Sequence, residues 1–109
     1  MVVTVASLAA YVTAPRMVDY CASKAAALAF HEGLTAELAS TYQAPRVRTV
    51  LVCQGYTSTK LFQGFDEGDG WLSYTLRPET VAEEIVKAVL GGRSKHVVLP
   101  ASASGAGAI

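Results

Sequence analysis

Residues 3–27, VTVASLAAYVTAPRMVDYCASKAAA, join a valine-rich run to an alanine-rich segment that begins near Tyr20. The run Val2–Ala6 has no alternation of polar and apolar residues, which predicts a short strand buried on both faces. Asp19 is a candidate N-cap for a helix that continues to about Tyr42. Because the first half of this helix is apolar on several faces, we expect it to be covered on more than one of them.

Two further strands and a second helix are expected downstream. The pattern predicts a buried strand over Val47–Cys53, a helix that begins at Pro78 and is stopped by Gly91-Gly92, and a strand over His96–Leu99. Residues 54–77 form a long connection, and residues 101–109 are predicted to be an unstructured tail of low complexity. Apolar strands that alternate with helices predict an α/β fold with a parallel sheet and right-handed crossovers.

Composition excludes several classes of protein. Of the 109 residues 51% are apolar, and nine basic residues balance nine acidic ones to a net charge of zero. A disordered chain and a nucleic-acid-binding protein are both disfavoured, because the first needs fewer apolar residues and the second a basic face. No apolar run reaches the ~18 residues of a membrane span. With only Cys21 and Cys53, the chain fits a reducing, cytoplasmic compartment better than an oxidising one.

Tyr20 and Lys24 are the strongest candidates for catalytic residues. They are four positions apart at the start of a helix, so their side chains share one face. The ammonium group of Lys24 is expected to stabilise the phenolate of Tyr20, which suits the tyrosine for acid or base catalysis on an alcohol or carbonyl. Ser7 follows the first strand, at the sheet edge where ligands bind parallel sheets, and its hydroxyl can hold the same substrate oxygen.

A second Tyr-x-x-x-Lys pattern, at Tyr56 and Lys60, shows how weak this spacing is by itself. A match of two residues is more often a coincidence than a site. Context separates the pairs, since Tyr20 opens a helix thirteen residues after Ser7, whereas the equivalent position before Tyr56 is Gln43.

In this context residues 3–27 resemble the catalytic segment of the short-chain dehydrogenase/reductase family. The resemblance implies that Ser7, Tyr20 and Lys24 are members of the catalytic set. It assigns proton transfer to Tyr20, orientation of the substrate oxygen to Ser7, and contact with the nicotinamide ribose to Lys24 and Tyr20. It also implies part of a Rossmann-like, doubly wound parallel sheet with about three strands and two main helices, over residues 1–100.

The similarity continues downstream. VRTVLVCQGYTSTKLF, residues 47–62, resembles the strand and loop that close over the nicotinamide, with Gly55, Thr57 and Thr59 at the expected contact positions. The family commonly has proline before this glycine, whereas this chain has Gln54. The segment RPETVAEEIVKAVLGGRSKHVVLP, residues 77–100, is similar to the end of the retinol and 17-beta-hydroxysteroid dehydrogenase-like branch.

The implied substrate is a small lipophilic alcohol or ketone. Tyr11, Phe62 and Trp71 are candidate substrate-binding residues. The aromatic residues of the long connection suit either a lid that closes on an apolar substrate or anchors that hold a solvated loop, and the sequence leaves both open. His31, His96, Cys21 and Cys53 have no partners at metal-ligand spacing, so we interpret them as structural residues.

The glycine-rich turn that cradles a dinucleotide pyrophosphate has no counterpart in the sequence. We therefore expect the chain to correspond to the C-terminal portion of a longer enzyme that uses NAD or NADP, with the preference unreadable and any membrane association supplied by upstream sequence. The alternative hypothesis is a catalytically inactive association module, for instance a homodimer formed through the helix from Tyr20 to Tyr42.

Overall fold

The computed structural model describes residues 1–57 and 76–100 of the chain. Three strands and two long helices alternate along it, with one short 3-10 helix at Leu8–Ala10. In chain order the main elements are β1 (Val2–Val5), α1 (Val18–Ser40), β2 (Thr49–Gln54), α2 (Pro78–Gly91) and β3 (Lys95–Leu99). The strand β2 begins two residues later than predicted, because Val47 closes a turn by donating its N–H to the Ala44 carbonyl at 3.1 Å.

The three strands form one parallel sheet in the order β1-β2-β3. Thr4 of β1 pairs with Leu51 of β2, which in turn pairs with His96 of β3. Five of the six residues of β2 are buried, as expected for a central strand covered on both faces. The predicted α/β class, the parallel sheet and the partial Rossmann-like architecture are confirmed.

Each face of the sheet carries one helix. On one face Val50, Val52, Val97 and Leu99 pack against α2, which contributes apolar residues at helical spacing: Val81, Ile85 and Ala88. On the other face Leu51 and Cys53 pack with Ala6, and Leu8 and Leu28 lie against them. Because successive strand residues point to opposite faces, one unbroken valine-rich strand supplies both clusters.

Two predictions of burial are wrong. In β1 the residues alternate between half-buried and exposed, and Val5 is 44% exposed. The helix α1 buries only Cys21 and His31, while Phe30 is 63% exposed. The physical reason is the same for both elements: β1 lies at the edge of the described sheet, and within residues 1–57 and 76–100 nothing packs on the outer side of α1.

The helix ends follow local chemistry. Asp19 is not the N-cap of α1, because the helix begins at Val18 and the Asp19 carboxylate instead accepts the Tyr20 N–H at 2.9 Å. Pro78 opens α2, where its missing N–H is no loss. Gly92 ends α2 with φ +68°, a left-handed conformation that glycine adopts without strain. Neither helix in the described part of the chain has the length and apolar character needed to cross a membrane.

Candidate active site

Ser7 lies immediately after β1, where the chain turns into the short 3-10 helix. It is the N-cap of that helix, and its hydroxyl oxygen accepts the Ala9 N–H at 3.1 Å. The same hydroxyl donates to the main-chain carbonyl of Gln54 at the end of β2, at 3.3 Å. Ser7 is buried and held from two sides, so its hydroxyl has a defined position at the carboxyl edge of the sheet.

Tyr20 and Lys24 share one face of the first turns of α1, as their spacing predicts. The Lys24 ammonium lies over the Tyr20 ring, 5.6 Å from its centroid, a distance at which a cation is attracted to the ring face. Lys24 also donates to the main-chain carbonyl of Val5 at 3.4 Å. Because Val5 is only two residues before Ser7, this contact brings the ammonium group to the end of β1.

The Val5 carbonyl that Lys24 contacts faces the outer edge of the sheet. The amides of Val2 and Ala6 donate to carbonyls of the neighbouring segment, Arg48 and Val52. Since strand residues alternate in direction, the odd-numbered residue Val5 points its backbone groups away from β2. Lys24 therefore occupies the edge of β1 as well as the face of the tyrosine.

The loop between Ser7 and α1 holds Tyr20 in place. Ala9, Ala14 and Cys21 form a small buried cluster, against which Met17 and Tyr20 pack. The turn into α1 requires a left-handed residue, Arg16, with φ 68°. The serine, the loop and the start of the tyrosine helix thus form one packed unit.

Gly55 and Thr57 lie beside Ser7 at the same edge. The Gly55 N–H donates to the Leu99 carbonyl at 2.7 Å, which ties the end of β2 to the end of β3. Thr57 is buried, donates its hydroxyl to the Gly55 carbonyl at 3.2 Å, and pairs with Leu76 in an isolated parallel bridge. Both residues therefore stand on a fixed backbone at the carboxyl ends of the strands, where ligands of parallel sheets bind.

Tyr11 extends from the short 3-10 helix toward β2. The Cys53 thiol donates to its hydroxyl at 4.0 Å. Burial, with smaller contributions from Cys53 and Glu32, raises the pKa of Tyr11 to about 12. Burial also raises the pKa of the Cys53 thiol. Tyr11 is thus a neutral hydroxyl at neutral pH, while more than half of its surface remains exposed.

Two polar features of the structure were missed by sequence reasoning. The side-chain oxygen of Gln54 is buried and has no hydrogen-bond partner among the described residues. The His31 Nδ1 atom lies 2.9 Å from the Thr4 hydroxyl, which joins α1 to β1. The departure from proline at position 54 could have drawn attention to Gln54. The contact of His31 depends on a residue 27 positions away and had no local sign.

The structure brings together Ser7, Tyr20, Lys24, Gly55, Thr57 and Tyr11 around one end of the sheet and the adjoining start of α1. Thr59, Phe62 and Trp71 lie outside the described residues, as does Lys60. His31, Cys21 and Cys53 are buried, and both cysteines are free thiols.

Comparison with known proteins points to one family. The family model for short chain dehydrogenases matches residues 1–70. Human estradiol 17-beta-dehydrogenase 11 is 36% identical over 101 residues, which cover 93% of this chain and 32% of the relative. Human short-chain dehydrogenase/reductase 3 is 41% identical over 88 residues, covering 81% of this chain and 28% of the relative.

Dehydrogenase RED2 of Cochliobolus heterostrophus is 53% identical over 51 residues, 47% of this chain and 19% of the relative. The chain therefore spans a third or less of the length of these curated relatives. A match to the family model over more than half of the chain, with the serine, tyrosine and lysine on a parallel sheet edge and its adjoining helix, establishes that the chain belongs to the short-chain dehydrogenase family.

Proposed function

We propose that this chain carries the proton-transfer and substrate-orienting groups of an NAD(P)-dependent oxidoreductase that interconverts an alcohol and a carbonyl. The observation that carries the proposal is the Lys24 ammonium, which lies over the Tyr20 ring and reaches the carbonyl of Val5 at the end of β1. One cation is thereby shared between a candidate proton-transfer group and the strand that presents Ser7.

Tyr20 acts as the acid or base in this proposal. In the direction of oxidation its phenolate accepts the proton of the substrate hydroxyl, and in reduction its hydroxyl returns the proton to the carbonyl oxygen. The Lys24 ammonium lies over the ring of Tyr20, 5.6 Å from its centroid. The nicotinamide cofactor, when bound, accepts or supplies the hydride.

Ser7 orients the substrate oxygen. Its hydroxyl already accepts one N–H bond and donates one hydrogen bond to the Gln54 carbonyl. A hydroxyl has two lone pairs and one proton, so one lone pair remains for an alcohol substrate. To donate to a carbonyl substrate, the Ser7 hydroxyl must turn its proton away from the Gln54 carbonyl. That hydrogen bond is long, 3.3 Å, so breaking it costs little free energy.

The residues of this edge fit the nicotinamide end of a dinucleotide. A Cβ atom at Gly55 would lie 3.5–3.6 Å from Leu99, Pro100 and Leu8, at ordinary van der Waals distance. The side-chain oxygen of Gln54, which has no partner among the described residues, offers a hydrogen-bond acceptor. Lys24 with Tyr20 would hold the ribose, and Gly55 with Thr57 would contact the nicotinamide, as the family resemblance implies. Thr59 extends this set outside the described residues.

A lipophilic substrate is supported by the apolar surface next to the site. Tyr11 is 54% exposed and Val12 52% exposed, both in the loop that follows Ser7. The two human relatives are named as an estradiol dehydrogenase and a short-chain dehydrogenase/reductase. We propose that Tyr11 forms part of the substrate wall and that Phe62 and Trp71, outside the described residues, complete it.

The test has a binding part and a catalytic part. Titration of the chain with NADH and NADPH, followed by nicotinamide fluorescence, is expected to give saturable binding, and Lys24→Met is expected to weaken it. Tyr20→Phe is expected to keep cofactor binding and to lose turnover of secondary alcohols by about 100-fold or more. Saturable binding would contradict the association-only alternative, and its absence would favour that alternative for this chain.

The chain contains its own matched control for the catalytic part. Tyr56→Phe removes the hydroxyl of the second Tyr-x-x-x-Lys pattern, which follows β2 instead of opening a helix. We expect this variant to retain turnover, so that only the tyrosine on α1 is essential. Turnover close to wild type in Tyr20→Phe would refute the assignment of the proton-transfer group.

The second candidate function, association without catalysis, rests on the exposed apolar residues of α1. Phe30 is 63% exposed and Val18 61% exposed. A chain that associates through α1 should show concentration-dependent sedimentation that Phe30→Ser abolishes. Residues 1–100 as one catalytic portion, with residues 101–109 as a tail outside the described part, remain a prediction.

A further inference from the structure

The helix α1 meets the sheet along a row of four residues, spaced at intervals of four, three and four. This sheet-facing row consists of Lys24, Leu28, His31 and Thr35. Residues at these intervals lie on one face of a helix. Three of the four form hydrogen bonds to the strands or their side chains, while Leu28 packs against the apolar cluster of the sheet. The position of α1 therefore depends on directional bonds as well as on apolar packing.

His31 forms the shortest of these bonds and is the most buried residue of the row. Its Nδ1 atom lies 2.9 Å from the Thr4 hydroxyl, whereas the bonds of Lys24 and Thr35 measure 3.4 and 3.2 Å. His31 is only 6% exposed. Because a hydroxyl both donates and accepts, the Thr4 bond forms with either tautomer of the neutral imidazole. A short, buried bond of this kind fixes where the middle of α1 lies along β1.

The candidate catalytic residues share the helix with His31. Lys24 precedes His31 by seven residues, about 10.5 Å along the helix axis. On the strand, Thr4 precedes Ser7 by three residues. Because α1 is continuous from Tyr20 through His31, the bond of His31 to β1 also determines how far along the strand Tyr20 and Lys24 lie.

The proposed reaction needs groups from both elements. The substrate oxygen is oriented by Ser7, which follows β1, and exchanges its proton with Tyr20, which lies on α1. We propose that His31 is a positioning residue, whose bond to Thr4 holds α1 at the place along β1 where Tyr20 meets the oxygen that Ser7 orients; this inference rests on the proposed function. A displacement of about 1 Å between reacting groups is enough to lower a rate by about 10- to 100-fold.

The other contacts of the row constrain this position less. Leu28 contributes apolar burial, which is non-directional and allows a small slide of the helix. Lys24 ends a flexible four-carbon stem, so its long bond to the Val5 carbonyl follows the helix more than it holds it. Thr35 is exposed and ties the far end of α1 to Thr49 of β2 instead of β1.

The test follows the carbonyl carbon of Val5 by NMR in the chain without cofactor. The hydrogen bond from Lys24 displaces this resonance, and Lys24→Met gives its position when the bond is absent. His31→Leu removes the bond to Thr4, and the Val5 resonance should then move to the Lys24→Met position. His31→Asn is the matched variant, because it also lacks the ring but its amide can bond to the same hydroxyl. It should keep the Val5 resonance near its wild-type position.

Turnover provides the second readout. We expect His31→Leu to lower kcat by about 10-fold or more with a smaller change in NADH affinity, and His31→Asn to recover most of kcat. Val81→Ala is the control for lost stability, because Val81 is 7% exposed in the apolar cluster beneath α2. It should lower the melting temperature as His31→Leu does, yet leave kcat and the Val5 resonance near their wild-type values.

The partner of the bond supplies an independent pair of variants, which serves also if His31→Leu does not fold. Thr4→Val removes the hydroxyl and should reproduce the loss of kcat, whereas Thr4→Ser keeps the hydroxyl and should not. The double variant of Thr4→Val with His31→Leu should lose no more than either single variant, because both remove the same bond. Additive losses would show that the two residues act independently and would contradict the proposal.

Failure of this inference differs from failure of the proposed function. An unmoved Val5 resonance in His31→Leu, or equal losses of kcat in His31→Leu and His31→Asn, would overturn the role of His31 and leave the proposed function intact. A wild-type chain with neither NADH binding nor turnover would count against the proposed function instead. The Val5 measurement needs no cofactor, so it would still decide whether His31 positions α1.

Discussion

Two regions of the molecule, a closed side formed by β2, β3 and α2 and an open side formed by β1 and α1, differ in how they are packed. Around β2, β3 and α2 the structure has a closed apolar cluster in which Val50 and Val52 are fully buried. Around β1 and α1 the apolar residues are more exposed and polar contacts join the elements, with His31 bonded to Thr4 and Lys24 bonded to Val5. All the candidate catalytic residues lie on or beside this second side.

This difference indicates a division of roles. The closed side fixes the end of β2, which carries Gln54 and Gly55, while the open side carries the buried Ser7 and the partly exposed Tyr20 and Lys24. Binding sites need accessible polar groups on a rigid support, and the two sides supply these two requirements separately. Five predictions test the comparison.

The largest effect is expected at Val52 of the closed side, in comparison with Val5, its register partner in β1. Val5 of β1 pairs with Val52 of β2, and the two side chains are 44% and 0% exposed respectively. Val52→Ala should lower the free energy of unfolding by about 2–3 kcal/mol, from lost burial and the cavity left behind. Val5→Ala should lower it by less than about 1 kcal/mol. Urea denaturation measures both, and equal losses would contradict the difference in packing.

The next effect concerns the end of α2. Gly92 has φ +68° and open space around its Cα, so Gly92→Ala meets no clash yet strains the backbone. We expect a loss of about 1–2 kcal/mol. Gly91, the last residue of α2 and equally unobstructed, is the matched control: Gly91→Ala should stabilise the chain by up to about 0.5 kcal/mol, because a terminal helical position gains less than an interior one. The same sign for both variants in thermal melts would refute this account of the cap.

On the open side, the bond between His31 and Thr4 should be measurable. Thr4→Val keeps the shape of the side chain and removes the hydroxyl, and the free energy of unfolding should fall by about 1 kcal/mol in urea denaturation.

The stability of the chain should also depend on pH through His31. Burial lowers the pKa of His31 below its usual value of 6.5; the charge of His96 lowers it further, and Glu32 opposes this. The unfolded chain therefore binds the proton more tightly, and stability should fall as the pH drops below about 6.5.

Two variants check the pH dependence. His31→Gln should flatten the acid limb of a stability profile measured by urea denaturation, because the residue that titrates differently in the folded chain is gone. His96→Gln should weaken that limb without removing it, since it takes away one cause of the lowered pKa of His31. An unchanged profile in His31→Gln would show that another group is responsible.

The smallest effect is expected on the outer surface of α2. Lys87 and Glu84 form an exposed pair at 3.2 Å, three residues apart. Lys87→Gln should cost no more than a few tenths of a kcal/mol, since solvent screens exposed ion pairs. A loss above about 1 kcal/mol in low salt would show that the solvent-facing side of α2 contributes to the closed region.

Much of the fold and of the candidate site was accessible from the sequence. Valine runs and helical spacing predicted all three strands and both long helices, since the pattern of apolar residues is local. Ser7, Tyr20 and Lys24 were predicted because their spacing and context are also local. Burial of β1 and α1 was predicted wrongly, because exposure depends on which elements cover a segment, and no periodicity within the segment records that.

The sequence alone determined the class of fold, the family resemblance and the candidate catalytic residues, because each is written in residue types at short spacing. Only the tertiary structure decided that Lys24 reaches the Val5 carbonyl, that Ser7 bonds to the end of β2, and that the Gln54 oxygen has no partner in the described chain. These contacts join residues far apart in the chain, and the packing of strands and helices determines which of them meet.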